Sequence, residues 1–374
     1  MITIDGSPPH PALSQALGGL PDAALARALA DAEPGYDVTW WTGLLRSGVL
    51  SGGQPAQAAG QGTFTDLVGA VAAIAAAAAP SPVHTGVVQS GSALLEVGGE
   101  HERSAHLPAL LTGDRRYAFC LTEADGGYGP AAVATRAARR GRDWVIDGVK
   151  CYVPYAASAD TLLVVARGEA GHQMFAVDSG TPGIDLRPIP TIGADRQCRI
   201  TLASVRVPDE ARIGTAADAW PAVERALTRC VVALAADSLG AADAALRHAV
   251  AHVRLRHQWG TPLGGFQAVK HRCADMYMDV LLAREVVAHA AALIDQGSDA
   301  RRAASTAKAL CARRCRQVSA AAHQLCGGAG ILADSPLHLW YRRIKAAEPM
   351  LGDPRYHRAV VADSVLNDQK GLPA

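Results

Sequence analysis

The sequence lacks an excess of charge of either sign. Its 374 residues include 36 Lys and Arg against 35 Asp and Glu, a formal net charge of +1. Nucleic-acid-binding proteins carry basic patches that neutralise phosphates, so this balance argues against nucleic acid as a partner. The sequence also lacks a long apolar run: the most apolar stretch, Leu67 to Ala79, is too short to cross a bilayer and is followed by Pro80. We therefore expect no membrane-spanning segment.

Two further signals are missing. Met1 to Asp31 contains no basic region followed by an apolar block, so no secretory signal is predicted and we expect a cytoplasmic protein. None of the eight cysteines forms a CxxC motif, and the closest two, Cys311 and Cys315, have no second pair nearby to complete a zinc site. We expect buried free thiols in a reducing compartment and no metal site.

Periodicity changes twice along the chain and predicts three domains, at residues 1–115, 116–215 and 216–374. The first stretch is rich in Ala and Leu and predicts one helix that ends near Gly52 and a second over Phe64–Ala79. The last stretch repeats apolar residues every three or four positions. This spacing is typical of long helices with short connections, which form an antiparallel bundle.

The middle stretch contains short apolar runs separated by turn residues, which predict an antiparallel barrel or sandwich. The predicted strands are Tyr117–Leu121, Ala131–Ala138, Trp144–Lys150, Thr161–Ala166, Gln173–Val177, Ile184–Ile189 and Cys198–Val207. Asp147-Gly148 predicts a tight turn between two strands. The order of helices, strands and then helices narrows the choice of folds before any motif is considered.

Three segments have the chemistry of a ligand site. The strand from Tyr117 runs into a glycine-containing loop that ends at Gly129, whose backbone amides can bind an anionic or heteroaromatic group. The segment Arg256–Pro262 places an arginine and an indole between two helices, where they can hold a phosphate and stack on a ring. A glycine-rich loop, Gln324–Ile331, ends another helix. Each segment also has a purely structural interpretation: a turn, an arginine on its helix dipole, and a left-handed helix cap.

In this order and spacing, the segments resemble the acyl-CoA dehydrogenase family from about Trp40 to Ala362. The first loop resembles the family's LTE-x-x-x-GS block, and residues 144–154 resemble its W-x-x-x-G-x-K-x-W-I-T block. Residues 203–208 resemble the strand that leaves the barrel. The inter-helix segment resembles R-x-x-FG-x-x-x-x-x-FQ, and the last loop resembles Q-x-x-GG-x-G. The resemblance implies an α+β fold with an N-terminal helical domain, a middle antiparallel β-barrel and a C-terminal four-helix bundle.

The resemblance also implies FAD, held at a subunit interface, and therefore at least a dimer. It assigns these residues to the cofactor: Leu121, Thr122, Gly127, Tyr128, Tyr152, Val153, Arg256, Gln258, Trp259, Gln324, Gly327 and Gly328. Tyr128 replaces the family's serine, and Tyr152 replaces its tryptophan but keeps an aromatic face. The residues from Arg256 onward would serve the cofactor of the neighbouring subunit. An electron-transfer flavoprotein is a further partner that the resemblance implies.

The sequence departs from the family at the catalytic base. The family removes the α-proton of an acyl thioester with a carboxylate while flavin N5 accepts the β-hydride. The usual base position holds Leu351, and the alternative position on the first bundle helix holds Cys230, which its apolar neighbours predict to be buried. The catalytic residue is therefore unknown, with Glu348 the remaining candidate, although its place before Pro349 favours a surface residue. Asp353 falls on the motif's threonine and is expected to be a cofactor-side or capping group.

A second departure is Pro154, which occupies the place of a threonine that donates a hydrogen bond to flavin N5. Its loss should weaken stabilisation of the reduced flavin by roughly 1–2 kcal/mol, the scale of one hydrogen bond. Both departures affect the redox chemistry, whereas the cofactor-holding residues largely match the family.

The leading interpretation is an FAD-dependent oxidoreductase of lipid metabolism that desaturates an acyl thioester of CoA or of a carrier protein. It is either an active homo-oligomer with a relocated base or, by slight preference, the base-less subunit of a hetero-oligomer. Two alternatives on the same fold stay open: a group D flavin-dependent monooxygenase, and a flavin-binding homologue without turnover.

Overall fold

The computed structural model describes residues 32–54, 62–193 and 195–369, together with residues 26, 28 and 29. Helices come first. They are α1 (Val38–Arg46), α2 (Phe64–Ala76), a π-helix (Val83–Ser90), α3 (Gly91–Val97) and α4 (Glu100–Thr112). Asp37 caps α1, because its carboxylate accepts a hydrogen bond from the Trp40 amide at 2.9 Å. The prediction that this helix continues to about Gly52 was wrong: Gly48 adopts a left-handed φ of +76°, which ends the helical path.

A mainly antiparallel eight-stranded sheet follows. Its strands are β1 (Tyr117–Cys120), β2 (Arg136–Arg140), β3 (Asp143–Pro154), β4 (Thr161–Arg167), β5 (His172–Asp178), β6 (Ile184–Pro188), β7 (Gln197–Pro208) and β8 (Arg212–Ile213). They lie in the order β6-β7-β3-β2-β4-β5-β8, and β1 pairs with β4. Alternate residues of β3, β4, β5 and β7 form an apolar core around Ile146, Val164 and Phe175.

Two sequence predictions for this sheet were wrong. The predicted strand Ala131–Ala138 begins only at Arg136, because residues 130–132 form a short 3₁₀ turn instead. Asp147-Gly148 is not a hairpin turn but lies inside β3, where the pairing with β7 shifts register. Gly148 is needed there for close packing, since a Cβ at this position would lie 2.7 Å from the Thr135 Cα.

The C-terminal half is helical. It contains α5 (Trp220–Leu255), a short hairpin of β9 (His257–Gln258) and β10 (Thr261–Pro262), α6 (Gln267–Asp295), α7 (Arg301–Cys326), α8 (Gly328–Ile331), α9 (Leu337–Ala347) and α10 (Pro354–Gln369). Within the described residues, no helix is long and apolar enough to span a bilayer. Nor does any group of three or more His, Cys, Asp or Glu side chains within them lie where it could hold a metal ion.

The chain divides into two compact units, and the division falls inside α5, between Cys230 and Val231. One unit contains Pro80–Cys230 with the described residues 32–54. The other contains Phe64–Ala79 and the chain from Val231 onward. The predicted domain boundaries near residues 116 and 216 stay a prediction.

Two contacts explain why α2 groups with the C-terminal helices. Asp295, at the end of α6, accepts hydrogen bonds from the Phe64 and Thr65 amides at 2.6 and 3.0 Å and so caps α2. Gly240 of α5 allows close approach, because a Cβ there would lie only 1.9 Å from the Ala72 carbonyl oxygen.

Candidate functional site

The loop after β1, residues 121–135, carries four of the predicted cofactor residues and is closed by one carboxylate. Glu123 accepts hydrogen bonds from the amides of Ala134 at 2.8 Å and Thr135 at 3.0 Å. The Glu123 side chain, near the start of the loop, therefore holds the end of the loop in place. The tip, with Gly127 and Tyr128, is exposed, and its backbone is available to a ligand.

Lys150 completes this closure from β3. Its side chain is 0% exposed, and its Nζ lies 2.7 Å from Glu123 Oε1 and 3.1 Å from the Leu121 carbonyl oxygen. Burial alone would raise the pKa of Glu123, but the ammonium of Lys150 and the hydrogen bonds from Lys150 and Thr135 hold it below its usual value. The motifs contain both residues, yet the sequence interpretation gave neither a role. A lysine among the core-facing positions of a strand was the available signal.

A β-bulge presents Tyr152. The pairing of β3 with β7 shifts register between Lys150 and Val153, and Tyr152 adopts a left-handed φ of +56°. Bulges and strained backbone are frequent beside active sites, where they redirect a side chain. The Tyr152 ring is 50% exposed, whereas the Val153 side chain lies in the barrel core. Of these two predicted residues, Tyr152 can offer its ring to a ligand and Val153 only its backbone.

In the C-terminal unit, the β9–β10 hairpin exposes Arg256, Gln258 and Trp259. Trp259 is 85% exposed, has a left-handed φ of +51° and meets Phe266 edge to face at 5.7 Å. Among the described residues, the Arg256 and Gln258 side chains have no hydrogen-bond or ion-pair partner. An uncompensated guanidinium beside an exposed indole suits a diphosphate and a flat ring.

The loop after α7 is similarly open. Gln324, Gly327 and Gly328 are exposed, and Gly327 has a left-handed φ of +56° that ends the helix. Gly330 is buried, and a Cβ there would lie 3.0 Å from Cys326 Cβ. A flavin dinucleotide has phosphates and two heteroaromatic rings. The groups present suit it: an arginine, carboxamides and open glycine backbone can bind the phosphates, and exposed aromatic rings can stack on the heteroaromatic rings.

The two positions predicted for the base hold Cys230 and Leu351. Cys230 is 0% exposed, and burial raises the pKa of its thiol to about 12, so the thiolate is not formed near neutral pH. The prediction of a buried thiol is confirmed. Leu351 is half-buried with a left-handed φ of +57° and has no group that can accept a proton.

The segment that contains Leu351, residues 347–353, is held by two buried side chains. Lys308 of α7 donates from Nζ to the carbonyl oxygens of Ala347 at 2.7 Å and Glu348 at 2.9 Å. Burial lowers the pKa of Lys308 to about 8. On the apolar face of α7, a lysine four residues after Ala304 and three before Cys311 was the sequence signal for this role.

His357 of α10 is the second support of residues 347–353. Its Nε2–H donates to the Leu351 carbonyl oxygen at 3.0 Å, and Nδ1 accepts from the Ser305 hydroxyl at 3.1 Å. Burial, together with the charge of Lys308, lowers the pKa of His357 to about 4, so the imidazole is neutral near pH 7.

The two carboxylates near Leu351 have structural partners. Glu348 Oε2 lies 2.8 Å from Lys345 Nζ and 3.8 Å from Arg316 Nε, which makes it an ion-pair partner at the end of α9. Asp353 caps α10 by accepting from the Tyr356 amide at 2.8 Å, one of the two roles expected for it. Both carboxylates are therefore engaged in contacts within the C-terminal unit.

Comparison with known proteins matches two family models: the acyl-CoA dehydrogenase middle domain over residues 118–205 and its C-terminal domain over residues 217–366. A probable acyl-CoA dehydrogenase of Bacillus subtilis, YngJ, is 30% identical over 284 residues, or 74% of this chain and 75% of the relative.

Two solved structures share the whole fold. The ChsE4-ChsE5 complex from Mycobacterium tuberculosis superimposes with a TM-score of 0.86, at 25% identity over 98% of this chain and 99% of that one. A variant of the Tcur3481-Tcur3483 steroid ACAD gives a TM-score of 0.86, at 28% identity over 96% and 97%. These matches confirm the predicted architecture of N-terminal helices, middle sheet and C-terminal helices. The aligned relative and the two domain matches show that the chain belongs to the acyl-CoA dehydrogenase family, whose members are FAD-binding oxidoreductases.

Proposed function

We propose that this chain is the subunit without a catalytic base in a hetero-oligomeric acyl-CoA dehydrogenase. A second, paralogous chain supplies the carboxylate that removes the α-proton of an acyl thioester. This chain completes the flavin site of its neighbour with Arg256, Gln258, Trp259 and Gln324. FAD, when bound, accepts the hydride from the β-carbon, and an electron-transfer flavoprotein is the proposed acceptor of the electrons.

The observation that carries the proposal is the contrast between binding groups and reacting groups. Arg256, Gln258, Trp259 and Gln324 are exposed, and the Arg256 and Gln258 side chains have no hydrogen-bond or ion-pair partner among the described residues, as a surface completed by another chain requires. The positions for the base hold Leu351, which cannot accept a proton, and Cys230, whose thiol is buried and fully protonated at neutral pH. A general base contributes about 10²–10⁴ in rate, so a chain with neither would be a poor dehydrogenase alone.

The substrate class follows from the same position. Leucine in place of glutamate leaves apolar volume where the family has a charge, which favours a bulky apolar acyl group. The similarity to the Tcur3481-Tcur3483 steroid ACAD and to the ChsE4-ChsE5 complex supports the paired-chain assembly, and the similarity to the steroid ACAD supports a sterol-like acyl thioester.

Co-expression with a paralogous chain encoded beside this one tests the proposal. We expect a mixed oligomer that contains fewer flavins than chains and that desaturates acyl-CoA esters, whereas neither chain alone does so. Arg256→Ala in this chain should remove flavin from the mixed oligomer without dissociating it. Failure of the chains to associate, with this chain forming a flavin-saturated and active homo-oligomer, would refute the proposal.

The same experiment separates the other functions. A relocated base predicts turnover by this chain alone that Glu348→Gln abolishes. A monooxygenase predicts that acyl-CoA esters leave the bound flavin oxidised even in the mixed oligomer. A homologue without turnover predicts bound flavin and no reaction in either preparation.

A further inference from the structure

We propose that the buried pair of Glu123 and Lys150 fixes the flavin-facing loop to the Tyr152 bulge and thereby sets the affinity for FAD. The two residues are positioning residues: neither side chain reaches the exposed surface where a cofactor would bind. The inference rests on FAD binding by this chain, and it does not depend on which partner supplies the base.

The first step is the closure of the loop. Between Glu123 and Thr135 the chain leaves the barrel and returns, and one carboxylate receives the amides of Ala134 and Thr135 on its two oxygens. A carboxylate that accepts two backbone amides and one ammonium has well-defined directions for all three donors. The position of the exposed tip between these ends therefore depends on the Glu123 side chain.

Lys150 connects the loop to the Tyr152 bulge. Lys150 precedes Tyr152 by two residues on β3, and its Nζ bonds both Glu123 Oε1 and the Leu121 carbonyl oxygen. The Cys151 amide donates to the Thr122 carbonyl oxygen at 2.8 Å, which adds a backbone bond between the same two segments. The predicted cofactor residues of the loop and the predicted aromatic ring of the bulge thus share one buried connection.

The order of these two segments before binding determines how tightly FAD binds. A ligand that contacts two segments binds most tightly when both are already in place, because ordering them on binding reduces affinity. Lys150 is 0% exposed and Glu123 is 9% exposed, so water cannot substitute for either partner. Loss of the pair should free the loop while the hydrophobic cluster of the barrel, around Ile146, Val164 and Phe175, stays intact.

The test uses the full-length chain in the oligomer in which it purifies. The main variant is Lys150→Met combined with Glu123→Gln, which removes the pair without leaving a lone buried charge. Arg116→Met combined with Asp160→Asn is the matched control. It removes an ion pair of 2.6 Å in the same unit, at the opposite end of β1 from the loop. Glu123→Asp keeps the charge pair but shortens the carboxylate by one methylene, and serves if the double variant fails to fold.

Two readouts are compared at a temperature where all variants are folded. We expect the dissociation constant for FAD to rise at least tenfold in the Glu123/Lys150 variant and to stay within twofold in the control. Hydrogen exchange at residues 134–135 should accelerate in that variant without added FAD, while exchange in β4 and β5 does not change. Glu123→Asp should give an intermediate loss of affinity.

A purely structural role would lower the melting temperature but leave FAD affinity within twofold of wild type, and that result would overturn the inference while leaving the proposed function standing. Wild-type protein that binds no FAD either by itself or in the mixed oligomer would overturn both. Unchanged exchange at residues 134–135 would show that the pair does not hold the loop.

Discussion

Two regions of the C-terminal unit differ in how their side chains are held. The hairpin at Arg256–Pro262 carries residues predicted to hold a cofactor, and its Arg256 and Gln258 side chains are exposed without a hydrogen-bond or ion-pair partner among the described residues. The segment 347–353 is held by Lys308 and His357 and carries Leu351 at the position predicted for the base.

The segment 347–353 shows that a loop can be held in a fixed conformation without carrying a side chain that accepts a proton. If residues 347–353 had no role, buried polar supports for it would be an unnecessary cost, because burying an ammonium is unfavourable unless it is well hydrogen-bonded. A subunit that shapes a substrate pocket and leaves proton transfer to another chain would need residues 347–353 held in place. It would not need a base on them. Four predictions test this contrast, in order of decreasing effect.

The largest effect should come from returning a carboxylate to the supported segment. In Leu351→Glu, we expect flavin reduction by acyl-CoA esters to accelerate by about 10²–10⁴, the usual contribution of a general base. The measurement is anaerobic stopped-flow absorbance of the bound flavin. Leu351→Gln is the control, since it has the same size and no basic carboxylate. Equal rates for the Glu and Gln variants would show that the segment does not face the substrate.

The second prediction concerns the support itself. Native His357 has a pKa of about 4 against an ordinary value of 6.5, so the unfolded state binds more protons between these pH values. Stability should therefore fall as the pH drops from 6.5 to 4, by about 3 kcal/mol at 1.36 kcal/mol per unit. Urea unfolding of wild type and His357→Gln over this range measures the difference.

Substitution of His357 should flatten the pH dependence, and His289→Gln, at an exposed histidine on α6, should not. Identical pH dependence in wild type and His357→Gln would remove His357 from the account of how residues 347–353 are held.

The third prediction concerns the cofactor hairpin. Arg256→Ala should weaken FAD binding by about tenfold to a hundredfold, because a hydrogen bond to a charged group contributes about 1.5–3 kcal/mol. The matched control is Arg254→Ala, at an exposed arginine on the preceding turn of α5. Flavin titration by fluorescence gives both affinities. Equal losses in the two variants would indicate a general electrostatic effect.

The smallest effect is expected at Glu348. Its ion pair with Lys345 is partly exposed, so Glu348→Gln should cost at most about 1 kcal/mol of stability. Turnover of the mixed oligomer should change less than twofold. A loss of activity by tenfold or more would identify Glu348 as a relocated base and reverse the contrast between the two regions.

Much of the fold followed from the sequence because periodicity and turn residues are local signals. Long helices follow from Trp220 onward as predicted, and most strands lie within a few residues of their predicted positions. The predictions failed where tertiary contacts determine the local structure. The prediction over Ala131–Ala138 missed that this segment returns to Glu123, and Asp147-Gly148 has the composition of a turn but is a bulge packed on Thr135.

The site was predictable only in part for the same reason. Motif resemblance predicted the segments with Tyr152, Trp259 and Gln324 as a cofactor site and Leu351 as the position of a missing base, and these assignments stay predictions. The lysines Lys150 and Lys308 stand out at apolar positions, but their partners could not be predicted, because Glu123 meets Lys150 across 27 positions and Lys308 meets Ala347 across 39. Pairings between residues so distant in sequence depend on the assembled fold and leave no spacing pattern.

We propose that this chain binds flavin but relies on another chain for the base. Anaerobic mixing of an acyl-CoA ester with the flavin-loaded isolated chain and, in parallel, with the mixed oligomer tests this proposal. We expect the flavin of the isolated chain to stay oxidised while that of the mixed oligomer is bleached. Bleaching of the isolated chain at the rate of the mixed oligomer would contradict it.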